Sequence, residues 1–226
     1  MDKKVITIDG LNGTGKSTLA KGLAKAFNFS YLSAGTIFRS LAYFSKQHDI
    51  EPHQTELIVY ALQNMDFRVQ TVDGQTRAYV GETDVTDEIR SDEYAVFASK
   101  FSNNQFIQES IRTVIRDAAK ETNLVVDGRD MGTVVFPNAD AKIVLEASLQ
   151  ARAERRSLEN NVPVGEVIEK FREIDERAKE GFYLPPTDAK VIDTTDLSRG
   201  EVLSIATSFV SDKLNLPPVA TEDLSE

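Results

Sequence analysis

The residues best suited to chemistry form one uninterrupted segment near the N-terminus. Residues 10–17 read Gly-Leu-Asn-Gly-Thr-Gly-Lys-Ser and match the G-x-x-x-x-G-K-[ST] phosphate-binding pattern at every fixed position. In this pattern the glycines let backbone N–H groups curve around a polyphosphate, and the following helix directs the positive end of its dipole at the anion. Lys16 is then expected to reach the β- and γ-phosphates, and the Ser17 hydroxyl to bind Mg²⁺. The segment predicts that the chain binds a nucleoside triphosphate.

The sequence on both sides of this segment fits such a use. The apolar run at residues 5–8 predicts a buried strand, and residues 18–25 have the apolar spacing of a helix. A strand, a loop and a helix in this order are what the phosphate-binding pattern needs. We therefore expect the whole segment and the residue after it to contact the nucleotide: Gly10, Leu11, Asn12, Gly13, Thr14, Gly15, Lys16, Ser17 and Thr18.

The arginines narrow the class of protein, because a phosphate loop alone does not separate kinases from GTPases, motor proteins or transporters. Phosphoryl transfer needs cations around the equatorial phosphate oxygens more than it needs covalent chemistry. Arg129 stands within Asp-Gly-Arg-Asp at residues 127–130, after a predicted strand, at the end where α/β sheets bind ligands. A GTPase would need a guanine-reading Asn-Lys-x-Asp segment, and the sequence has none. The pattern favours a kinase of a small phosphorylated substrate, with a nucleotide-binding regulator that lacks activity as the alternative.

Apolar runs along the chain predict the elements that position these residues. Strands are expected at residues 5–8, 29–32, 123–127, 141–146 and 189–193. Helices are expected at 18–25, 36–47, 92–100, 105–120, 148–160 and 164–179, and after Ser198, where Glu201 completes a capping box. Apolar strands without alternation, separated by helices, indicate a parallel sheet covered on both faces. The fold class is therefore α/β, with a parallel sheet flanked by helices.

A small β-containing insertion interrupts this alternation of strands and helices. Residues 67–72 and 76–80 alternate at period two on either side of Asp73-Gly74, which is a strong signal for a hairpin. The strands and helices before and after it fit one doubly wound domain with a parallel sheet. We therefore expect it to be an insertion in the α/β domain.

Composition excludes several classes of function. The chain has 226 residues and a net charge of −10, and it contains no cysteine, which excludes disulfides, thiolate metal sites and cysteine nucleophiles. The negative charge disfavours binding of a polynucleotide, because phosphate contacts need clustered Lys and Arg. No apolar run of about 18 residues and no signal-peptide pattern is present, so we expect no membrane association and a cytoplasmic location.

At residues 128–137 the chain reads Gly-Arg-Asp-Met-Gly-Thr-Val-Val-Phe-Pro, which resembles the signature of the bacterial cytidylate kinases, the CMP/dCMP kinases. The resemblance extends over nearly the whole chain and includes residues 80–90, which are similar to an insertion in that family. It implies a P-loop kinase fold with a helical lid, in which ATP donates its γ-phosphate to CMP or dCMP and Mg²⁺ is required. We also expect a monomer.

The resemblance also implies a division of the chain and a role for individual residues. The core would comprise about 1–35, 100–160 and 188–214, the monophosphate-binding region about 36–99 and the lid about 161–187, with a loose tail at 215–226. Catalytic roles would fall to Lys16, Arg156, Arg172 and Arg177. Arg152 would pack near the adenine of ATP. The acceptor would be bound by Arg39 and Arg112 at its phosphate, by Arg129 and Asp130 at its nucleoside, by Ser99 at the cytosine and by Asp175 at the sugar hydroxyls or the base.

The chain departs from the family pattern in two places. In the lid, Arg172 and Arg177 each lie one position closer to Asp175 than the family's Arg-Asp-x-x-Asp-x-x-Arg requires, and one position on a helix is a rotation of about 100°. Near the acceptor, Ser33 and Ala34 stand where the family commonly has an acid and a hydroxyl residue. Loss of a polar contact of this kind typically costs about 1 kcal/mol. A different small acceptor, UMP or AMP, is therefore a close alternative.

Overall fold

The computed structural model describes residues 3–72, 75–101, 104–181 and 183–219. Its strands are β1 (Val5–Gly10), β2 (Ser30–Ser33), β3 (Phe67–Val72), β4 (Gln75–Val80), β5 (Thr83–Asp84), β6 (Leu124–Gly128), β7 (Ala141–Glu146) and β8 (Lys190–Asp193). Its α-helices are α1 (Lys16–Phe27), α2 (Ala34–Gln47), α3 (Thr55–Asn64), α4 (Asp92–Phe101), α5 (Gln105–Glu121), α6 (Leu149–Asn160), α7 (Val164–Gly181) and α8 (Arg199–Leu214). A 3₁₀ turn covers Glu88–Arg90, and a π-helical turn covers Met131–Val135.

The chain divides into two compact units, residues 1–30 with 121–226 and residues 31–120. The predicted division into core, monophosphate-binding region and lid concerns function and stays a prediction. The two units follow other bounds, because residues 31–35 and 100–120 group with the unit that carries the insertion, and residues 161–187 and 215–226 group with the first unit.

The chain forms a five-stranded sheet in the order β2-β6-β1-β7-β8, of which β6, β1, β7 and β8 belong to the first unit. The pairs β6–β1, β1–β7 and β7–β8 are parallel. Every residue of β1 and of β6 is buried, which explains why these strands are apolar without alternation. The predicted α/β class with a parallel sheet flanked by helices is confirmed.

The register of this sheet determines which residues meet at its ligand-binding edge. Asp9 in β1 lies beside Gly128 in β6, and Gly10 lies beside Leu145 in β7. The phosphate loop, the Arg129 segment and the chain that leads into α6 therefore leave the sheet at the same edge. This edge, at the carboxyl ends of the parallel strands, is where α/β folds bind ligands.

The second unit contains a three-stranded antiparallel sheet in the order β3-β4-β5. β3 and β4 pair from Phe67 with Val80 to Val72 with Gln75, which confirms the predicted hairpin, although its turn at residues 73 and 74 lies outside the described residues. Ala78, Val85 and Ile89 form a small core, against which Tyr43 packs from α2.

Two elements were not predicted from the sequence. Helix α3 buries only Ile58, Ala61 and Leu62, while Leu57 and Tyr60 stay largely exposed, so its apolar residues give no clear helical period. Strand β5 is two residues long and exposed, which is too short for a pattern. By contrast, α8 begins with the predicted capping box between Ser198 and Glu201. Within the described part of the chain, the helices are too short or too polar to cross a bilayer.

Candidate active site

The phosphate loop connects β1 to α1 and takes its shape from its glycines. Gly13 and Gly15 have φ angles of 79° and 93°, in the left-handed region that glycine adopts without strain. Gly15 directly precedes α1 and has no side chain with which to cap the helix. The N–H groups of the first helical turn are thus left for an anion.

Hydrogen bonds inside the loop hold this shape. The Thr14 hydroxyl donates to the Leu11 carbonyl over 2.9 Å, and the Lys16 ammonium donates to the same carbonyl over 2.8 Å. Directly after β8, the Thr194 hydroxyl lies 3.3 Å from the Thr14 carbonyl and 3.1 Å from the Glu146 carbonyl, and it can donate its one proton to either of them. Arg155 in turn donates to the Thr194 hydroxyl over 3.1 Å. Sequence reasoning missed Thr194 and Arg155 as supports of the loop, because no local pattern links them to it.

Helices α6 and α7 pack against the outer side of the loop. A Cβ atom placed on Gly13 would lie 3.0 Å from Arg152 Cβ and 3.0 Å from Phe171 Cε2. Phe171, Val167 and Ala153 are buried in one apolar cluster between the two helices. Gly13 is therefore needed for close packing as well as for its backbone angle.

Arg152 and Asp175 form a buried, bidentate ion pair between α6 and α7. The two hydrogen bonds measure 2.6 Å and 3.3 Å, and the side chains are 5% and 11% exposed. Arg152 also donates to the carbonyls of Asn12 and Ala147, and its guanidinium lies 5.6 Å from the centre of the Phe171 ring. Both residues were predicted to bind substrates, and the structure brings them together. Their predicted contacts with adenine and with the acceptor stay predictions.

The other predicted catalytic arginines lie on helix surfaces. Arg156 pairs with Glu159 over 3.4 Å, and Arg172 pairs with Glu169 over 3.8 Å, each one turn along its own helix. Their side chains are 41% and 57% exposed. The side chain of Arg177 lies outside the described residues. The roles proposed for these three arginines in phosphoryl transfer stay predictions.

Arg129 reaches the phosphate loop from the end of β6. Its guanidinium donates to the Asn12 side-chain carbonyl over 3.1 Å. Burial lowers the pKa of Arg129, against the opposing effect of the Asp175 and Asp130 carboxylates. Asp130 is itself buried and precedes the π-helical turn. The structure therefore brings Arg129, predicted for the acceptor side, together with a loop predicted for the donor.

Two oxygen ligands suited to a divalent cation lie side by side below the loop. The Ser17 hydroxyl donates to the buried Asp127 carboxylate over 3.2 Å. Mg²⁺ prefers such hard oxygen donors and is typically held by one or two protein groups together with substrate phosphates. A site made of three or more His, Cys, Asp or Glu side chains is absent from the described residues. The pair formed by Ser17 and Asp127 therefore fits Mg²⁺ that arrives with a nucleotide, and Asp127, the last acid of an apolar strand, could have been added from the sequence.

Burial shifts the pKa values of two ionisable groups beside the loop toward their neutral forms. It lowers the pKa of Lys16 to about 8, against the opposing effect of the Asp127 carboxylate. It raises the pKa of Asp9 to about 6, although the N–H groups of Gly132 and Met131 stabilise the carboxylate. The site thus holds a cation and an anion that water no longer stabilises fully.

In the second unit, three residues predicted to bind the acceptor lie on three helices: Arg39 on α2, Ser99 on α4 and Arg112 on α5. Arg112 donates to Gln108 over 3.2 Å and pairs with Glu109 over 3.4 Å. The Ser99 hydroxyl donates to the Val96 carbonyl within its own helix. A Cβ atom on Gly35 would lie 3.5 Å from Arg39 Nη1 and 3.7 Å from Ser33 Oγ, so Ser33 lies near the arginine that is predicted to bind the phosphate.

Comparisons with known proteins place this geometry in a family. The family described as cytidylate kinase matches residues 6–212. The cytidylate kinase of Halalkalibacterium halodurans is 34% identical over 223 residues, which cover 95% of this chain and 100% of that protein. The cytidylate kinase of Salmonella choleraesuis is 36% identical over 220 residues, which cover 94% of this chain and 97% of that protein. The chain belongs to the cytidylate kinase family.

The solved structures give weaker support, for the fold alone. An uncharacterized protein from Eubacterium ventriosum aligns with a TM-score of 0.54 at 13% identity, over 93% of this chain and 99% of that chain. The family assignment therefore rests on sequence. It confirms the resemblance that was based on residues 128–137 and on the phosphate loop.

For this cytidylate kinase family member we expect Asp175→Ala to lower stability, because the change leaves Arg152 buried without its carboxylate. Removing one partner of a buried ion pair costs about 3–5 kcal/mol, so Tm should fall by on the order of 10 °C. The control is Glu169→Ala, which removes the exposed partner of Arg172 from the same helix. Its Tm should change by no more than about 2 °C. Equal effects of the two changes in thermal unfolding without added nucleotide would contradict the buried pair.

The lowered pKa of Lys16 predicts a pH dependence of nucleotide use. Lys16 is charged below its pKa of about 8 and neutral above it, so kcat/KM for ATP should fall as pH rises through this value. The limiting slope is about tenfold per pH unit. Lys16→Arg keeps its charge in this range and should show no such fall, even at lower activity. A constant wild-type kcat/KM between pH 7 and 9.5 would show that Lys16 does not titrate there.

Proposed function

We infer that the protein is a nucleoside monophosphate kinase that transfers the γ-phosphate of ATP to CMP or dCMP, giving CDP or dCDP. Membership in the cytidylate kinase family supports the reaction class. The observation that carries the inference is the hydrogen bond of 3.1 Å between Arg129 and Asn12. It joins the family's signature segment to the phosphate loop, so a group proposed for the acceptor lies beside the group proposed for the donor. We propose that the protein acts as a cytoplasmic monomer.

The phosphate loop would bind the triphosphate of ATP. Its glycines and the first turn of α1 supply backbone N–H groups, and Lys16 supplies a positive charge for the β- and γ-phosphates. The Leu11 carbonyl that now accepts from Lys16 also accepts from Thr14, so it keeps a partner when the lysine turns to a phosphate. A bound phosphate would stabilise the charged form of Lys16, because its negative charge offsets the loss of hydration that burial causes.

Ser17 and Asp127 would hold the cation that accompanies ATP. Bound there, Mg²⁺ would neutralise charge on the β- and γ-phosphates during transfer. The buried Asp127 carboxylate orients the Ser17 hydroxyl through their hydrogen bond. The same carboxylate raises the pKa of the neighbouring Lys16, which keeps the lysine charged near neutral pH.

On the acceptor side, Arg129 and Asp130 would bind the nucleoside, and Arg39 and Arg112 would bind the monophosphate. Arginine suits the second task because its planar group forms two parallel hydrogen bonds with phosphate. Ser33 stands in place of the family's acid, and its hydroxyl and the Arg39 guanidinium both lie close to Gly35. We expect this difference to affect binding of the acceptor and not of the donor.

Residues 161–187 are proposed to close over bound nucleotides as a lid. Water could otherwise take the place of the acceptor, and closure would exclude it. Helix α7 makes up most of this segment, and it packs against α6 through Val167 and Phe171. Closure of the proposed lid must therefore preserve this contact or involve α6 as well.

The function is tested by ATP consumption with a panel of nucleoside monophosphates. We expect turnover with CMP and dCMP well above that with UMP, AMP and GMP. Lys16→Ala should lose phosphoryl transfer while its circular dichroism stays unchanged, because the lysine stabilises charge that develops on the phosphates. Turnover by this variant near the wild-type rate would refute the proposed donor site. Absence of any acceptor-dependent turnover in the wild type would instead favour a regulator.

The acceptor assignment predicts a separation of kinetic effects. Arg39→Ala and Arg112→Ala should raise KM for the acceptor by on the order of tenfold to a hundredfold, because a charge-assisted contact is worth about 1.5–3 kcal/mol. KM for ATP should stay nearly unchanged. Arg116→Ala is the control, since Arg116 follows Arg112 by one turn of α5 and pairs with the same Glu109. A larger rise in KM for ATP than for CMP would place these arginines at the donor.

A further inference from the structure

Asp9 is a buried acid to which neither the phosphate-loop pattern nor the family signature gives a role. It is the last side chain of β1 before Gly10, and it is fully buried. Its two carboxylate oxygens accept the backbone N–H groups of Met131 and Gly132, each over 2.8 Å. Both acceptor oxygens are thus used for backbone contacts with a segment more than a hundred residues away.

The segment that Asp9 holds begins the π-helical turn at residues 131–135. The first N–H groups of any helical turn lack partners within the turn, so a buried turn needs an external acceptor. The N–H groups later in the turn have a partner within it, because those of Val134 and Val135 donate to the Asp130 carbonyl over 2.9 Å and 3.2 Å. Asp9 therefore supplies the acceptors that this turn cannot supply for itself.

Close packing restricts the position of residues 131 and 132. A Cβ atom on Gly132 would lie 2.7 Å from Pro186 Cγ, 2.8 Å from Thr7 Oγ1 and 3.2 Å from Asp9 Oδ2. The sheet register places Asp9 beside Gly128, where the chain leaves β6. Only three residues separate this fixed point from the N–H group of Gly132, and Arg129 is one of them.

We propose that Asp9 is a positioning residue, which holds residues 131 and 132 so that Arg129 lies against Asn12 of the phosphate loop. The proposal rests on the proposed function, in which Arg129 contacts the acceptor. The role proposed for Asp9 requires no contact with a substrate, because it acts through the two backbone N–H groups that its oxygens accept. Burial of a carboxylate opposes folding unless hydrogen bonds compensate for the lost water. The two hydrogen bonds that compensate Asp9 both come from residues 131 and 132.

The proposal is tested with Asp9→Asn, which keeps the shape of the side chain but presents an NH₂ group to one of the two N–H donors. We expect kcat/KM for the acceptor to fall by on the order of tenfold to a hundredfold, while Kd for ATP changes less than about threefold. The matched control is Thr7→Val, on the same face of β1. The Thr7 hydroxyl is buried and makes no hydrogen bond within the described residues, so its loss should leave both constants within about twofold.

A double-mutant cycle with Arg129→Ala separates positioning from general stabilisation. If Asp9 acts through Arg129, adding Asp9→Asn to Arg129→Ala should lower kcat/KM for the acceptor by less than about twofold further. Its effect on Tm should be the same in both backgrounds. Multiplicative losses of kcat/KM, or an Arg129→Ala variant with unchanged acceptor use, would overturn the proposal.

A second variant and a prior measurement on the wild type complete this test. If Asp9→Asn does not fold, Asp9→Glu replaces it in the same cycle, since Glu keeps both acceptor oxygens but displaces them by one methylene. The wild-type panel is measured first, and the cycle uses the acceptor with the highest kcat/KM. A wild type with no acceptor-dependent turnover refutes the proposed function, whereas an active wild type with multiplicative losses refutes only the role of Asp9.

Discussion

A loop that binds polyphosphate brings backbone N–H donors and a cationic side chain together in a partly buried site. Each charge that is buried there needs a partner of opposite charge or a hydrogen bond. Arg152 meets this requirement with a carboxylate, two carbonyls and an aromatic face, and Asp9 meets it with two N–H groups. Lys16 donates a hydrogen bond to one carbonyl, that of Leu11, and lies near the Asp127 carboxylate. Because the pKa values of Lys16 and Asp9 both move toward the neutral form, this compensation is incomplete. For Lys16, a bound phosphate is the group that would complete it.

The sheet order explains why so many distant segments can support one short loop. β1 lies between β6 and β7, so the chains that leave all three strands begin at one edge. β6 leads to Arg129, β7 leads to Arg152 on α6, and β8, next to β7, leads to Thr194. Each of these residues contacts the loop or a residue within it. The loop is thus held from three directions by chains whose spacing the parallel strands determine.

What could be predicted from the sequence was local, and what could not was mostly long-range. The phosphate loop, the hairpin at residues 67–80 and the capping box of α8 each depend on residues within one short window, and all three are confirmed. The contact of Asp9 with Met131 spans 122 positions, and no pattern in β1 distinguishes its acid from an ordinary strand end. The pairing of Arg152 with Asp175 could not be predicted either. Each residue had a plausible partner in a substrate, and only the packing of α6 on α7 shows that they meet.

The pairing of Arg152 with Asp175 bears differently on the substrate contacts predicted for the two residues. A carboxylate offers about four acceptor positions, and the described bonds to Arg152 use two of them, so Asp175 can still accept from sugar hydroxyls. Arg152 has fewer hydrogen-bond donors left for a substrate, because its described bonds already use most of its N–H groups. One face of its guanidinium lies 5.6 Å from the centre of the Phe171 ring, and only 5% of the side chain is exposed. The predicted contact of Arg152 with adenine therefore requires that some of the groups that now bury the guanidinium move away from it.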